Sequence, residues 1–157
     1  MTDQQKPAGP QLGLQRVYTK DISFESPNTP QIFREEWKPE VNVELGNNAN
    51  KLDDKNYEVE LTVTVTVKVA EKTAYLAEVK QAGIFTLDGF AEEASEGVLG
   101  SYCPSVIFPF AREAIASIIQ KGGFPPFYLQ PVDFNALYAQ HVQQQQASKE
   151  NGDEVKH

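Results

Sequence analysis

From position 57 to 69 the chain alternates without a break. Tyr57, Val59, Leu61, Val63, Val65, Val67 and Val69 are apolar, while Glu58, Glu60, Thr62, Thr64, Thr66 and Lys68 are polar. A period of two over this length predicts a long strand with one dry and one wet face, as in an antiparallel sheet covered on one side. Ala70-Glu71-Lys72 then forms a short connection, and a strand from about Thr73 to Leu87 completes a hairpin over 57–87. Over 12–25, Leu12, Leu14, Tyr18, Ile22 and Phe24 share even positions, with Arg16 and Lys20 as exceptions and Asp21, Ser23 and Glu25 at odd ones. This predicts another strand, and a shorter one fits Val41, Val43 and Leu45. The stretch between those two, punctuated by Pro27, Pro30 and Pro39, is too long for a tight hairpin and predicts a crossover. Residues 46–56, with Gly46, Asn47, Asn48, Asn50, Asp53 and Asp54, predict a polar loop.

The second half changes period. Residues 91–99 predict a short helix. Val106, Ile107, Phe110, Ala111, Ala114, Ile115, Ile118 and Ile119 recur at helical spacing up to Gly122-Gly123, and Pro104 and Pro109 restrict the start so that Pro109 falls in the first turn. Pro125, Pro126 and Pro131 predict an extended link. Asp133 then caps a last helix with Phe134, Leu137, Tyr138 and Val142 on one side. Strands first and helices after predict an α+β fold with helices packed on one sheet face. The helix over 106–121 is apolar over most of its girth. It is buried on more than one side, either in its own core or partly in an oligomer interface.

Composition narrows the functional classes. A length of 157 residues, 40% of them hydrophobic, is enough for one domain with a real core. Both ends read as disordered: 1–11, and the Gln-rich, polar 143–157, leaving a folded domain over 12–142. Fourteen basic against 22 acidic residues give a net charge of −8, which argues against nucleic acid and anionic lipid as partners. A single cysteine, Cys103, allows no intrachain disulfide. The N-terminus lacks the apolar run of a secretory signal, and no stretch approaches the ~20 apolar residues of a membrane span. A soluble, cytoplasmic protein is expected.

Catalytic chemistry is hard to find. His157 ends the tail, and His141 sits on the last helix as a surface or packing residue. No Gly-rich phosphate loop, paired cysteine ligands or His-Glu-His spacing appears. Gly100-Ser101 lacks the pattern of a nucleophile elbow, and Cys103 reads as a small buried hydrophobe. No enzyme activity, metal or cofactor is expected. The sheet's wet face says more: Asp21, Glu25, Glu58, Glu60 and Glu78 form a carboxylate cluster around an exposed Leu76, a plausible docking site for a basic partner. In the Pro-bounded crossover, Phe33 and the only tryptophan, Trp37, either cap the core or wall an apolar groove against the last helix.

Several blocks of the chain resemble SecB, the bacterial protein-export chaperone family. The segment from Tyr18 to Glu25 (Tyr-Thr-Lys-Asp-Ile-Ser-Phe-Glu) looks like the family's first strand. Ile32-Phe33, Trp37-Lys38-Pro39-Glu40, Tyr75-Leu76-Ala77-Glu78-Val79, Gly83-Ile84-Phe85 and Leu99-Gly100-Ser101-Tyr102-Cys103-Pro104 match as well. So do Phe108-Pro109-Phe110-Ala111-Arg112-Glu113 and the segment from Pro131 to Leu137. The likeness runs collinearly over about 12–145 and gives no support in 46–56 or the tails. It implies a four-stranded antiparallel sheet with a crossover, assembled as a homotetramer, a dimer of dimers. It implies an ATP-independent holdase that keeps precursor proteins unfolded in the cytoplasm and passes them to the SecA translocation ATPase, whose own tail holds a zinc. SecA-docking positions carry over to Asp21, Glu25, Leu76 and Glu78. A client groove carries over to Phe33, Trp37, Val41, Val43, Leu137 and Tyr138, and a tetramer interface to Ile107, Ala111, Ala114 and Ile118. A SecB-like chaperone dedicated to one toxin–antitoxin system, and a small-ligand-binding or catalytic α+β domain, are the alternatives.

Overall fold

The computed structural model describes residues 9–154. Strands β1 (Gln11–Glu25), β2 (Glu40–Lys51), β3 (Asn56–Val69) and β4 (Lys72–Asp88) form one antiparallel sheet in the order β1-β4-β3-β2. The crossover from β1 to β2 carries a 3-10 turn at Gln31–Arg34. Odd positions of β3 and β4 point under the helices: Val59, Leu61, Val63, Val65 and Val79 have no exposed surface. Each such side chain contributes about 1.5–3 kcal/mol on burial. Ala70 and Glu71, both at positive φ, make the two-residue turn that matches the twist of the β3–β4 hairpin.

β1 departs from the simple alternation. Its register against β4 shifts twice, between Leu14 and Arg16 and between Thr19 and Asp21. Each extra residue flips the parity. Leu12, Leu14, Ile22 and Phe24 face the helices, but the middle of the strand is turned over, so Arg16, Tyr18 and Lys20 face the open side. The two charged exceptions in the sequence are the trace of these bulges, and Tyr18 is not on the dry face. β2 is also longer than expected. Asn47 to Lys51 pair with Leu61 to Tyr57, so the loop shrinks to 52–55. A complete ladder against β3 outweighs the weak strand propensity of Gly and Asn. In the remaining loop the Asp53 carboxylate accepts bonds from the Lys55 and Asn56 amides and from the Asn56 side chain, and the last of these does most to hold its pKa down.

The long helix begins earlier than expected. Helix α1 (Glu92–Gly97), a π-helical turn (Val98–Tyr102) and α2 (Cys103–Lys121) run on continuously, with Pro109 inside α2 rather than in a first turn. An interior proline costs about 3 kcal/mol. Burying Ile107, Ile115 and Ile119, all without exposed surface, outweighs it. By length and average hydropathy Glu92–Lys121 could cross a bilayer, which a search for unbroken apolar runs misses. Half of the relevant window is buried inside the chain's own fold. Gly83 lets α2 sit close on β4, since a Cβ there would lie 3.0 Å from Phe85 and 3.1 Å from Ile107. Ile107 and Ala111, two of the four residues given to a tetramer interface, are wholly inside this core. Ala114 and Ile118 are half-exposed.

Gly122 and Gly123, the latter at φ +87°, stop α2. Asp133 caps α3 (Phe134–Glu154) through a 3.1 Å bond from the Ala136 amide. α3 does not stop at 142: residues 143–154 extend it as a helix, with 143–152 exposed. Gln, Ala, Lys and Glu propagate a helix already nucleated at Phe134–Tyr138. Of the expected N-terminal tail, 1–8 lie outside the described residues, and Gln11 already belongs to β1.

Candidate functional site

The edge strand β2 meets the π-helical turn at Asn47, whose side chain donates to the Gly100 carbonyl, and its other half lies open. Val41, Val43 and Leu45 lie on the helix side, opposite the fully buried Val67, Val65 and Val63, yet remain 43%, 39% and 37% exposed. At the end nearest the β3–β4 turn, Phe33 and Trp37 pack against Phe124 with ring centroids 5.0 and 5.9 Å away, and Phe124 in turn meets Tyr75 at 4.9 Å. At the other end a cavity of about 690 Å³ opens between β2, the π-helical turn and α3, lined in part by Leu45, Ala49, Leu99, Leu137 and Tyr138. The Tyr138 ring rests on Gly100, where a Cβ would be only 2.5 Å away. Ser101 Oγ donates to Asn135 Oδ1 and fixes the first turn of α3.

The expected groove residues are therefore all at or near the surface, but not as one wall facing another. Phe33 and Trp37 face Phe124, not the last helix, because α3 starts beyond the Pro-rich link and packs on the π-helical turn. Leu137 and Tyr138 form a second cluster, and the Val41-Val43-Leu45 strip joins the two. From Val41 to Ala49 the strip runs roughly 26 Å at about 3.3 Å per residue, room for about eight extended residues. Sequence reasoning missed Phe124 and Leu45 as members. The signals were an aromatic directly after a helix-stopping Gly-Gly pair, and the third member of an alternation already in use.

The opposite, open face of the sheet carries the carboxylates. Register places Asp21 opposite Lys80, Ser23 opposite Glu78 and Glu25 opposite Leu76, so the four expected docking residues do come together. Leu76 is half-buried there, not exposed. Glu78 accepts a bond from Thr64 Oγ1 at 3.0 Å. Among the described residues Asp21, Glu25 and Glu78 have no ion-pair partner. Glu58 and Glu60 differ: Lys20 Nζ lies 3.1 and 3.0 Å from them, and the Tyr18 hydroxyl donates to Glu58. The cluster is thus two groups, one tied up by Lys20 and one without an ion pair among the described residues.

The Tyr18 bond, and then Lys20, hold the Glu58 carboxyl below its usual range, while burial and then Glu58 push Tyr18 up to about 12. A lowered carboxyl pKa contributes stability that is complete above the unfolded value of about 4.3 and is lost as pH falls through the folded value. Tyr18→Phe should therefore cost stability at pH 7, with the deficit shrinking below about pH 4. Urea unfolding at pH 7 and pH 3 reads this; a deficit equal at both would assign the loss to packing alone.

Cys103 is buried, and burial pushes its thiol up to about 12, as a small core hydrophobe requires. His141 lines the cavity at its surface, with Gln145 Nε2 3.0 Å from its Nε2.

Comparison with known proteins gives the family. A family model described as "Preprotein translocase subunit SecB" matches residues 4–145. "Protein-export protein SecB" of Nitrosococcus oceani is 52% identical over 149 residues, covering 94% of this chain and 90% of that protein. Its namesake from Methylococcus capsulatus is 50% identical over 94% of this chain and 96% of the relative. That from Marinobacter nauticus is 47% identical over the full length of both. Among solved structures, a Mycobacterium tuberculosis SecB-like chaperone in complex with an antitoxin peptide shares the fold. Its TM-score is 0.65 at 13% identity, over 77% of this chain and 90% of that one. The chain belongs to the SecB family.

Proposed function

We propose that this chain is an ATP-independent holdase that binds unfolded precursor proteins in the cytoplasm and delivers them to SecA. The observation that carries the reading is the strip along β2. Exposed Val41, Val43 and Leu45, with aromatic rings at one end and a cavity at the other, are what an extended apolar segment needs and what a self-contained core would cover. A holdase works by mass action, since binding only the unfolded client opposes its folding without nucleotide. Several strips on one assembly add avidity to weak contacts. The net charge of −8 keeps the loaded complex soluble and attracts basic segments. Catalysis has no place in this reading.

The assembly is a tetramer, a dimer of dimers, and α2 offers the surface. At about 100° per residue, Val106, Phe110, Ala114 and Ile118 form one flank. The opposite flank carries Phe134 against Phe108 and a cleft lined by Ala116, Tyr128 and Leu129. SecA docks on the open sheet face, on Asp21, Glu25, Leu76 and Glu78. The relatives at 47–52% identity are all named protein-export proteins, which favours export over a dedicated antitoxin partner, for which there is only a likeness of fold.

The test combines holding and docking. The protein should slow the refolding of a denatured precursor at equimolar ratio without ATP. Asp21→Ala with Glu78→Ala should weaken SecA binding about tenfold at low salt while holding persists. Unretarded refolding would sink the holdase reading, and unchanged SecA affinity the docking assignment.

A further inference from the structure

The docking residues come from two strands, Asp21 and Glu25 from β1 and Leu76 and Glu78 from β4, and their alignment depends on the bulges in β1. Before Gln15, paired positions of β1 and β4 sum to 99, as in Leu14 with Phe85. Between the bulges they sum to 100, as in Thr19 with Gln81, and after Lys20 to 101, as in Glu25 with Leu76. Without the second extra residue Glu25 would lie opposite Tyr75 rather than Leu76, and the parity of everything after Thr19 would invert.

At the second bulge stands a polar residue with no place in the mechanism above. Gln81 is 2% exposed, at an odd position of β4, the parity shared by the buried Val79 and Phe85. A buried amide is retained at a cost unless it is bonded. Gln81 Nε2 donates to the Tyr18 carbonyl at 3.0 Å, and its Oε1 accepts from Thr19 Oγ1 at 2.9 Å. Both bonds end on the two residues directly before the extra residue Lys20. Apolar pattern alone allows the bulge to sit at any of several neighbouring positions, since it demands only that the parity change occur before Ile22. These two bonds select one.

We propose that Gln81 is a positioning residue for the partner-docking face: from the far side of the sheet it pins the β1 bulge at Lys20 and so aligns Asp21 and Glu25 with Leu76 and Glu78. The functional half of this rests on the SecA-docking reading; the alignment half does not.

The test uses Gln81→Met, of similar length and without hydrogen bonds, and Thr19→Val, which removes one bond with little change of shape. Alignment is read from the rate at which the pair Glu25→Cys/Leu76→Cys oxidises to a cross-strand disulfide. The only native thiol is buried, so it does not compete. Gln81→Met should slow this about tenfold and Thr19→Val by less. In the otherwise native chain Gln81→Met should also weaken SecA binding about tenfold, and should add nothing once Asp21 and Glu25 are alanine. Client holding should not change. Oxidation and SecA affinity both at the parent level, in a folded Gln81→Met or Thr19→Val protein, would overturn the proposal. An additive loss on top of the alanine pair would too, since that is what general destabilisation produces. If oxidation slows while neither Gln81→Met nor the alanine pair affects SecA, the docking reading fails and the alignment role stands.

Discussion

Trp37→Ala and Leu137→Ala are expected to weaken binding of a long unfolded precursor by about tenfold each, and by about a hundredfold together. Trp37 is 39% exposed and Leu137 44%, at opposite ends of the β2 strip. An apolar guest covering either side chain gains about 1.5–3 kcal/mol at most, so a tenfold loss is what removal of one contact predicts. Neither side chain is in the fully buried core, so unfolding should shift little. The single variants distinguish a continuous strip from two separate patches. A guest segment of about five residues cannot reach from one end to the other. It should therefore feel only one of the two substitutions, while a guest of twenty or more feels both. Apparent affinities from competition with a labelled unfolded client read this. A short guest weakened equally by both variants would contradict the geometry.

Phe110→Asp, or a charged residue at Ala114 or Ile118, is expected to break the proposed tetramer. The surface in question is the uncovered flank of α2, where Phe110 is 49% exposed although it sits on the main core helix. Placing a carboxylate in an apolar interface costs several kcal/mol for each copy, and the symmetry of the assembly repeats that cost. Phe110 is the better site for the experiment, because Ile118 also packs partly against the core and its loss would blur assembly with folding. Sedimentation at micromolar concentration should show a lighter species with native circular dichroism. A variant sedimenting like the parent would exclude this flank as an interface.

How far the sequence disclosed this arrangement follows from where packing and local pattern agree. β3 and β4 were legible because thirteen alternating residues face a continuous core on one side only. β1 was half legible: Ile22 and Phe24 were placed correctly, but two bulges separate them from Leu12 and Leu14, and only Arg16 and Lys20 hinted at this. The end of β2 and the start of the long helix were hidden for a common reason. Asn47–Asn50 and Pro104 oppose the structure they adopt, and distant partners, β3 in one case and the sheet beneath Ile107 in the other, override them. That Asp21, Glu25, Leu76 and Glu78 share one sheet face was legible because the local alternation after the second bulge and along β4 puts them there. The groove was legible only as a list. That Phe33 and Trp37 meet Phe124, and that Ile107 and Ala111 are sealed in, depends on contacts no local pattern encodes.

Trp37 also provides the most direct measurement, because it is the only tryptophan and stands in the open strip. Titrating the protein with a tryptophan-free unfolded precursor should shift its emission to shorter wavelength, as an apolar guest displaces water from the indole, and the shift should saturate at a fixed stoichiometry. Emission that stays unchanged while sedimentation shows the precursor bound would mean that guests bind elsewhere and that the β2 strip is not their site.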